Sequence, residues 1–326
     1  MNDAKIIEML NGRAFAILAA IALVVTAVIA TTMGGIPPID VGNGMFFDLS
    51  AAPFQATTLT MFINLALIIS TGLLMLLLNK LYGFVKAFTF VGAAVFFLLE
   101  LALPMCSSVL NVGTILCLVL VLGTLVLFGT YEDKYAQRPI FLITCVLAFG
   151  MMFNWAFVAL IVAFVLGFAY MRAMNWKGFF AVLIGLFTPF WIAFGLGLVS
   201  PNQFKLIEIN SVWDTMAAGQ VRAMVIWIVA VVVATIVLSA INLFSIYHYR
   251  LQLRVYNAFF LLVTLVSVIG VCVDYRDMLI FVPMLNLCLS VQVAHSFTIS
   301  TFPKRYIFIF VLVIATLAAF VANLLL

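Results

Sequence analysis

Few side chains in this chain could do chemistry, and none falls into a phosphate-binding glycine loop, a metal-ligand spacing or a Ser/His/Asp arrangement. The candidates are polar groups placed where they cost energy. Asp40 and Asp48 lie in GGIPPIDVGNGMFFDLSAAPF, a loop-forming stretch whose two carboxylates either work on a ligand or simply keep the loop wet. Glu100 sits in the apolar run FFLLELALP, one turn before Pro104 and close to the outer face. A charged side chain at the centre of a bilayer costs about 2.5–3.5 kcal/mol on insertion scales, so Glu100 should face a cavity or a partner, or else reach headgroups from the interface. Arg276, in the turn Asp274-Tyr275-Arg276-Asp277, carries a planar fork suited to a pyrophosphate or a carboxylate, unless it pairs with its neighbouring aspartates. Arg222 is a second candidate for the same task. Asn154 and Trp155, in GMMFNWAF, either mark the rim of a cleft or cap a short turn at the interface, where tryptophan is common. The run PMLNLCLSVQVAHSFTIS is the most polar of its kind. In it Asn286 and Ser290 share a helix face and His295 lies further along, a pattern that hydrogen bonding between helices explains without any activity.

Those residues need elements to hold them, and composition says which elements are available. With 67% hydrophobic and 8% charged residues in 326 positions, the chain cannot fold as a soluble domain, where about a quarter of residues are charged. Its solvent is lipid, and the continuously apolar runs select helices over a closed barrel. The net charge of +4 is an average over two membrane faces and says nothing about nucleic acid, which is not an expected partner. The five cysteines lie mostly in apolar runs without CxxC spacing or neighbouring histidines, so neither a metal site nor a disulfide framework is indicated.

The expected architecture is an all-α, polytopic transmembrane helical bundle. Its apolar runs predict spans over 14–32, 57–78, 87–104, 110–129, 139–153, 156–171, 179–199, 223–246, 257–273, 278–297 and 306–325, about eleven in one domain. The first is expected to be a retained helix rather than a cleaved signal. Starting inside, the alternating path collects Lys5, Arg13, Lys80, Lys86, Lys134, Arg138, Arg172, Lys177, Arg250, Arg254, Lys304 and Arg305 on one face. Only Lys205, Arg222 and Arg276 fall outside, which places the N-terminus in the cytoplasm and the C-terminus in the periplasm of a bacterial inner membrane. The pair within 139–171 is short for a hydrocarbon core of about 30 Å, so it either thins the bilayer or forms a re-entrant hairpin. Two long outer loops, 31–57 and 200–222, carry aromatics that suit an ordered loop or the headgroup level.

The connections NKLYGFVKAF and YEDKYAQRP, the run PMCSSVLNVGTILCLVLVL, the hairpin LAFGMMFNWAFVALIVAF, the turn MRAMNWKGFFAVLIGLFTPFWIAF and the late VPMLNLCLSVQVAH resemble a domain-of-unknown-function family of polytopic inner-membrane proteins from Gram-negative gliding and gut-commensal bacteria. The order of short hairpin, basic turn and proline-containing span is also similar to the central region of lipid-linked-sugar glycosyltransferases of the multi-span type, a likeness of fold alone. Those enzymes place an acidic residue in their first outer loop. The resemblance therefore implies that Asp40 or Asp48 is a catalytic base or helps hold a divalent metal, although no cofactor is predicted otherwise. Under that reading Glu100, Arg222, Arg276, Asn154 and Trp155 bind a polyprenyl-phosphate lipid at the outer face. A second expectation is a non-catalytic scaffold for other envelope proteins. A third is a transporter or flippase, for which Pro189 and Pro283 are the only hint of broken helices, and a proton relay would want more acidic residues deep in several helices.

Overall fold

The computed structural model describes residues 3–33, 43–47, 57–85, 87–206, 218–246, 250–274, 278–299 and 304–325, so Asp40, Asp48 and Arg276 lie outside the described residues. Among those described there is no strand. The helices are α1 (Asp3–Asn11), α2 (Arg13–Met33), α3 (Thr58–Tyr82), α4 (Val91–Leu101), α5 (Pro104–Ser108), α6 (Val112–Phe128), α7 (Gln137–Phe153), α8 (Phe157–Tyr170), α9 (Trp176–Gly195), α10 (Ala218–Ile246), α11 (Leu251–Val273), α12 (Val282–Ile299) and α13 (Tyr306–Leu325). Seven of them (α2, α3, α9, α10, α11, α12 and α13) are long and apolar enough to cross a membrane, and α4, α6, α7 and α8 are shorter apolar helices. The chain has the make-up of a multi-pass membrane protein.

Burial follows polarity in the sense expected in lipid. The least apolar of the seven long helices, α12, is innermost, with every side chain from Val282 to His295 buried. Lipid tails solvate leucine as well as a protein core does, so position in the bundle is decided by which helix carries hydrogen-bonding groups. Beside α12 stands α4, all eleven of whose residues are buried. Helices α2, α3, α6, α10, α11 and α13 pack around this pair, and α7, α8 and α9 extend the bundle on the side of α6 and α11. The outward faces of α9, α10 and α13 present large apolar side chains such as Trp191, Ile226 and Ile314.

The expected helix over 87–104 ends at Leu101 instead. Proline disfavours the helical region for the residue before it, and Leu103 is accordingly extended at φ −113° and ψ 104° ahead of Pro104. The five-residue α5 follows, then an extended link at Val109, then α6. By contrast Pro189 lies within the continuous α9, and Pro283 is in the first turn of α12, where it breaks nothing. The broken segment of this bundle is therefore at Pro104.

Contacts between connecting segments sort the bundle into two ends. At the proximal end, which carries α1, the Thr89 hydroxyl donates to Asn11 Oδ1 (2.7 Å), the Tyr306 hydroxyl to Asp3 (3.1 Å) and Asn175 Nδ2 to the Lys134 carbonyl (2.9 Å). The Arg172–Glu132 ion pair (3.1 Å) joins two further connections there. At the distal end residues 43–47 are seated on the turn between α7 and α8.

Candidate functional site

The centre of the molecule is polar. A rise of about 1.5 Å per residue puts Glu100 about 14 Å along α4 from its proximal start, near half the thickness of a bilayer core. Its carboxylate is fully buried and accepts a 3.0 Å hydrogen bond from Asn286 Nδ2 of α12. Glu100 thus meets a partner and reaches no headgroup, unlike the interfacial alternative. Oε2 of Glu100 and Oδ1 of Asn286 have no hydrogen-bond partner.

Irregular backbone deep in a membrane protein survives only where neighbouring groups satisfy it. Around the break that work falls to two asparagines. Asn64 of α3 donates to the carbonyls of Cys106 (2.8 Å) and Ser107 (3.1 Å) at the end of α5. Asn111 caps α6 by accepting from the Gly113 amide (2.9 Å), and it donates to the Leu279 carbonyl (3.1 Å) in the turn before α12. Neither is among the candidate residues read from the sequence, although an asparagine inside an apolar run is a visible signal. A separate network joins Asn242 of α10 to Gln292 Oε1 (2.9 Å) and Ser296 (3.0 Å) of α12. His295 lies half a turn around α12 from Asn286, close to the Phe84 ring (centroids 6.1 Å), with both ring nitrogens unpartnered.

Asn154 and Trp155 belong to a different place, the distal cap. The amides of Met45 and Phe46 donate to the carbonyls of Met151 and Met152 (both 3.2 Å), and the Trp155 amide donates to Asn43 (3.3 Å). The second long loop joins them: the Lys205 amide donates to Met45 (3.0 Å) and Asn43 Nδ2 to Leu206 (2.6 Å). Gly44 approaches the backbone of Met152 and Phe153 so closely that any Cβ would collide. The Phe46 ring packs edge-on against Phe190, Phe194 and Phe204, so Phe204 belongs to the cap. Asn154 itself turns the chain, accepting from the Ala156 amide at 2.8 Å.

Arg222 stands in a third place. It lines the distal part of a groove of about 520 Å³ between α10 and α13, whose floor is mostly small side chains: Gly219, Ala223, Ala230, Ala315, Ala319 and Ala322. Asn323 closes the groove and also borders a small void against Leu103, Pro104, Met105 and Met224, at the break that follows Glu100. A second hollow of about 160 Å³ between α6, α7 and α8 is lined by apolar groups alone. It offers no group to orient a ligand.

The structure therefore separates Glu100 from Arg222 and both from the Asn154–Trp155 turn. Among the described residues no three metal-ligating side chains gather. No family model, no curated protein and no solved structure matches the chain.

Proposed function

We propose that this chain is an eleven-span bacterial inner-membrane protein, N-terminus cytoplasmic and C-terminus periplasmic, that binds a phosphate-headed lipid of the polyprenyl class at its outer face. The groove carries the reading: one cation, Arg222, stands at the distal end of a long apolar trough open to lipid. From Gly219 to Ala230 the trough follows α10 for about 17 Å, enough for several isoprene units. Alanine and glycine leave room for a chain with methyl branches. The guanidinium fork suits a phosphate through paired, charge-assisted hydrogen bonds.

The topology draws support from the end contacts. Residues 11, 132, 134, 172 and 175, all in segments assigned to the cytoplasm by charge, make their contacts at the proximal end, as does Thr89 at the expected start of the third span. Residues 43, 155 and 205, all assigned outside, meet at the distal end. Phe46 touches both the tip of α7 and the Phe190–Phe194 end of α9, so α7 reaches nearly as far as a helix long enough to cross. This favours two full crossings over a re-entrant hairpin. The resemblance to lipid-linked-sugar glycosyltransferases adds envelope-glycan assembly, with Asp40 or Asp48 as the base on an acceptor.

Native mass spectrometry of the purified protein tests the binding step. A polyprenyl monophosphate should be retained in preference to the uncharged polyprenol, and Arg222→Ala should weaken that preference about tenfold, the scale of one hydrogen bond to a charged group. Equal retention of phosphate and alcohol, or an unaffected Arg222→Ala, removes the reading. Unchanged envelope glycans in a dependent cell carrying Asp40→Asn with Asp48→Asn would remove the catalytic part alone.

A further inference from the structure

We propose that Glu100 is a proton-binding site at mid-depth in the bundle: Asn286 holds its Oε1, and its free Oε2 takes up and gives back one proton.

Four observations carry this. The carboxylate is fully buried, and among the described residues no lysine or arginine pairs with it. Charge there is uncompensated, and a proton is the smallest thing that compensates it. Second, Glu100 sits in the last turn of α4, where the helix dipole presents its negative end and opposes a second negative charge. Third, the unpartnered atoms are the ones that protonation would use. An O–H on Oε2 would give that atom a bond to make, and the unpartnered Oδ1 belongs to the same Asn286 side chain that already donates to Oε1. Fourth, the packed neighbours offer no competing charge. Helix α2 carries only Arg13 at its start, α3 only Lys80 and Tyr82 at its end, and α13 only Tyr306 at its start. Cys106 of α5 and Cys117 of α6 are within electrostatic range of the carboxylate, Cys288 lies on α12 beside Cys117, and His295 faces away from Asn286. These are neutral groups or weak acids, and none supplies a countercharge.

One such site is not a relay, and the sequence offers no chain of deep acids to make one. It is a single loading point, placed immediately before the break at Leu103, whose other side borders the small void shared with Asn323. The inference stands without the lipid reading, because a proton on Glu100 is measured with no lipid ligand present.

Infrared difference spectroscopy of the protein in nanodiscs decides it. At neutral pH the surface carboxylates are ionised, so a protonated-carboxyl C=O band should come from Glu100. The band should vanish in Glu100→Gln, which keeps the shape and the bond to Asn286, and it should shift in Asn286→Leu. Titration to alkaline pH should abolish it reversibly in the native chain. The native protein lacking the band, the band surviving in Glu100→Gln, or an ionised carboxylate whose band moves with sodium in place of pH would each overturn the proposal. The native measurement suffices even if a variant fails to fold.

Discussion

Arg172 and Glu132 face each other across the proximal surface with the same backbone peculiarity, a positive φ of 57° at each. Arg172 follows the last turn of α8, where the Ala173 amide reaches back to Phe168 (3.1 Å) in the capping arrangement that usually employs glycine. The left-handed conformation costs a non-glycine residue roughly 1–2 kcal/mol. The ion pair between them, with side chains 60% and 50% exposed, returns about 0–1 kcal/mol. Strain outweighs the bridge, so Arg172→Gly should raise stability by up to about 1 kcal/mol despite losing the pair. A melting temperature in detergent that fell on this substitution would show the bridge to be worth more than its exposure allows. Residue chemistry was readable in the sequence wherever polarity conflicts with its surroundings, as at Glu100 and Asn286. Partners were not readable: Asn64 bonds a carbonyl 42 positions away, and nothing local to either residue announces the meeting.

Elements were more legible than contacts, because lipid forces each long apolar run to satisfy its own backbone. Every predicted apolar run contains a helix, and seven of those helices are long and apolar enough to cross a membrane. The break at Pro104 is hidden in the sequence because a proline near the end of an apolar run looks like a boundary, and nothing local announces that Asn64 and Asn111 satisfy the irregular turns after it. Packing between helices relies on glycine. Five of them, Gly72, Gly123, Gly150, Gly167 and Gly270, each lie under a phenylalanine ring, and Gly185 of α9 lies against Thr144 and the Phe141 carbonyl of α7. At Gly185 the obstacle includes backbone, which cannot rotate away. Gly185→Val should therefore part α7 from α9 and cost about 1–3 kcal/mol, read as a lowered midpoint in thermal unfolding. An unchanged midpoint would mean that the two helices separate without penalty.

At the scale of the whole molecule the testable quantity is sidedness. Tyr135 is 80% exposed at the proximal end, and Asn202 is exposed near the distal cap. In a Cys272→Ser background, which removes the exposed native thiol, Tyr135→Cys should react with a membrane-impermeant reagent only after the cytoplasmic side is opened. Asn202→Cys should react in intact spheroplasts. Labelling of both from one side would break the eleven-span path.

The α7–α8 hairpin has an effect on its surroundings as well. With 17 and 14 residues its helices measure about 26 and 21 Å, against about 30 Å of hydrocarbon. On the proposed path, in which both helices cross fully, lipids beside the hairpin would compress their tails or tilt to cover the mismatch, and the protein would carry a dimple in the sheet that contains it. Such a dimple shortens the distance between leaflets on one flank of the molecule, and it would draw the protein toward thinner patches of membrane.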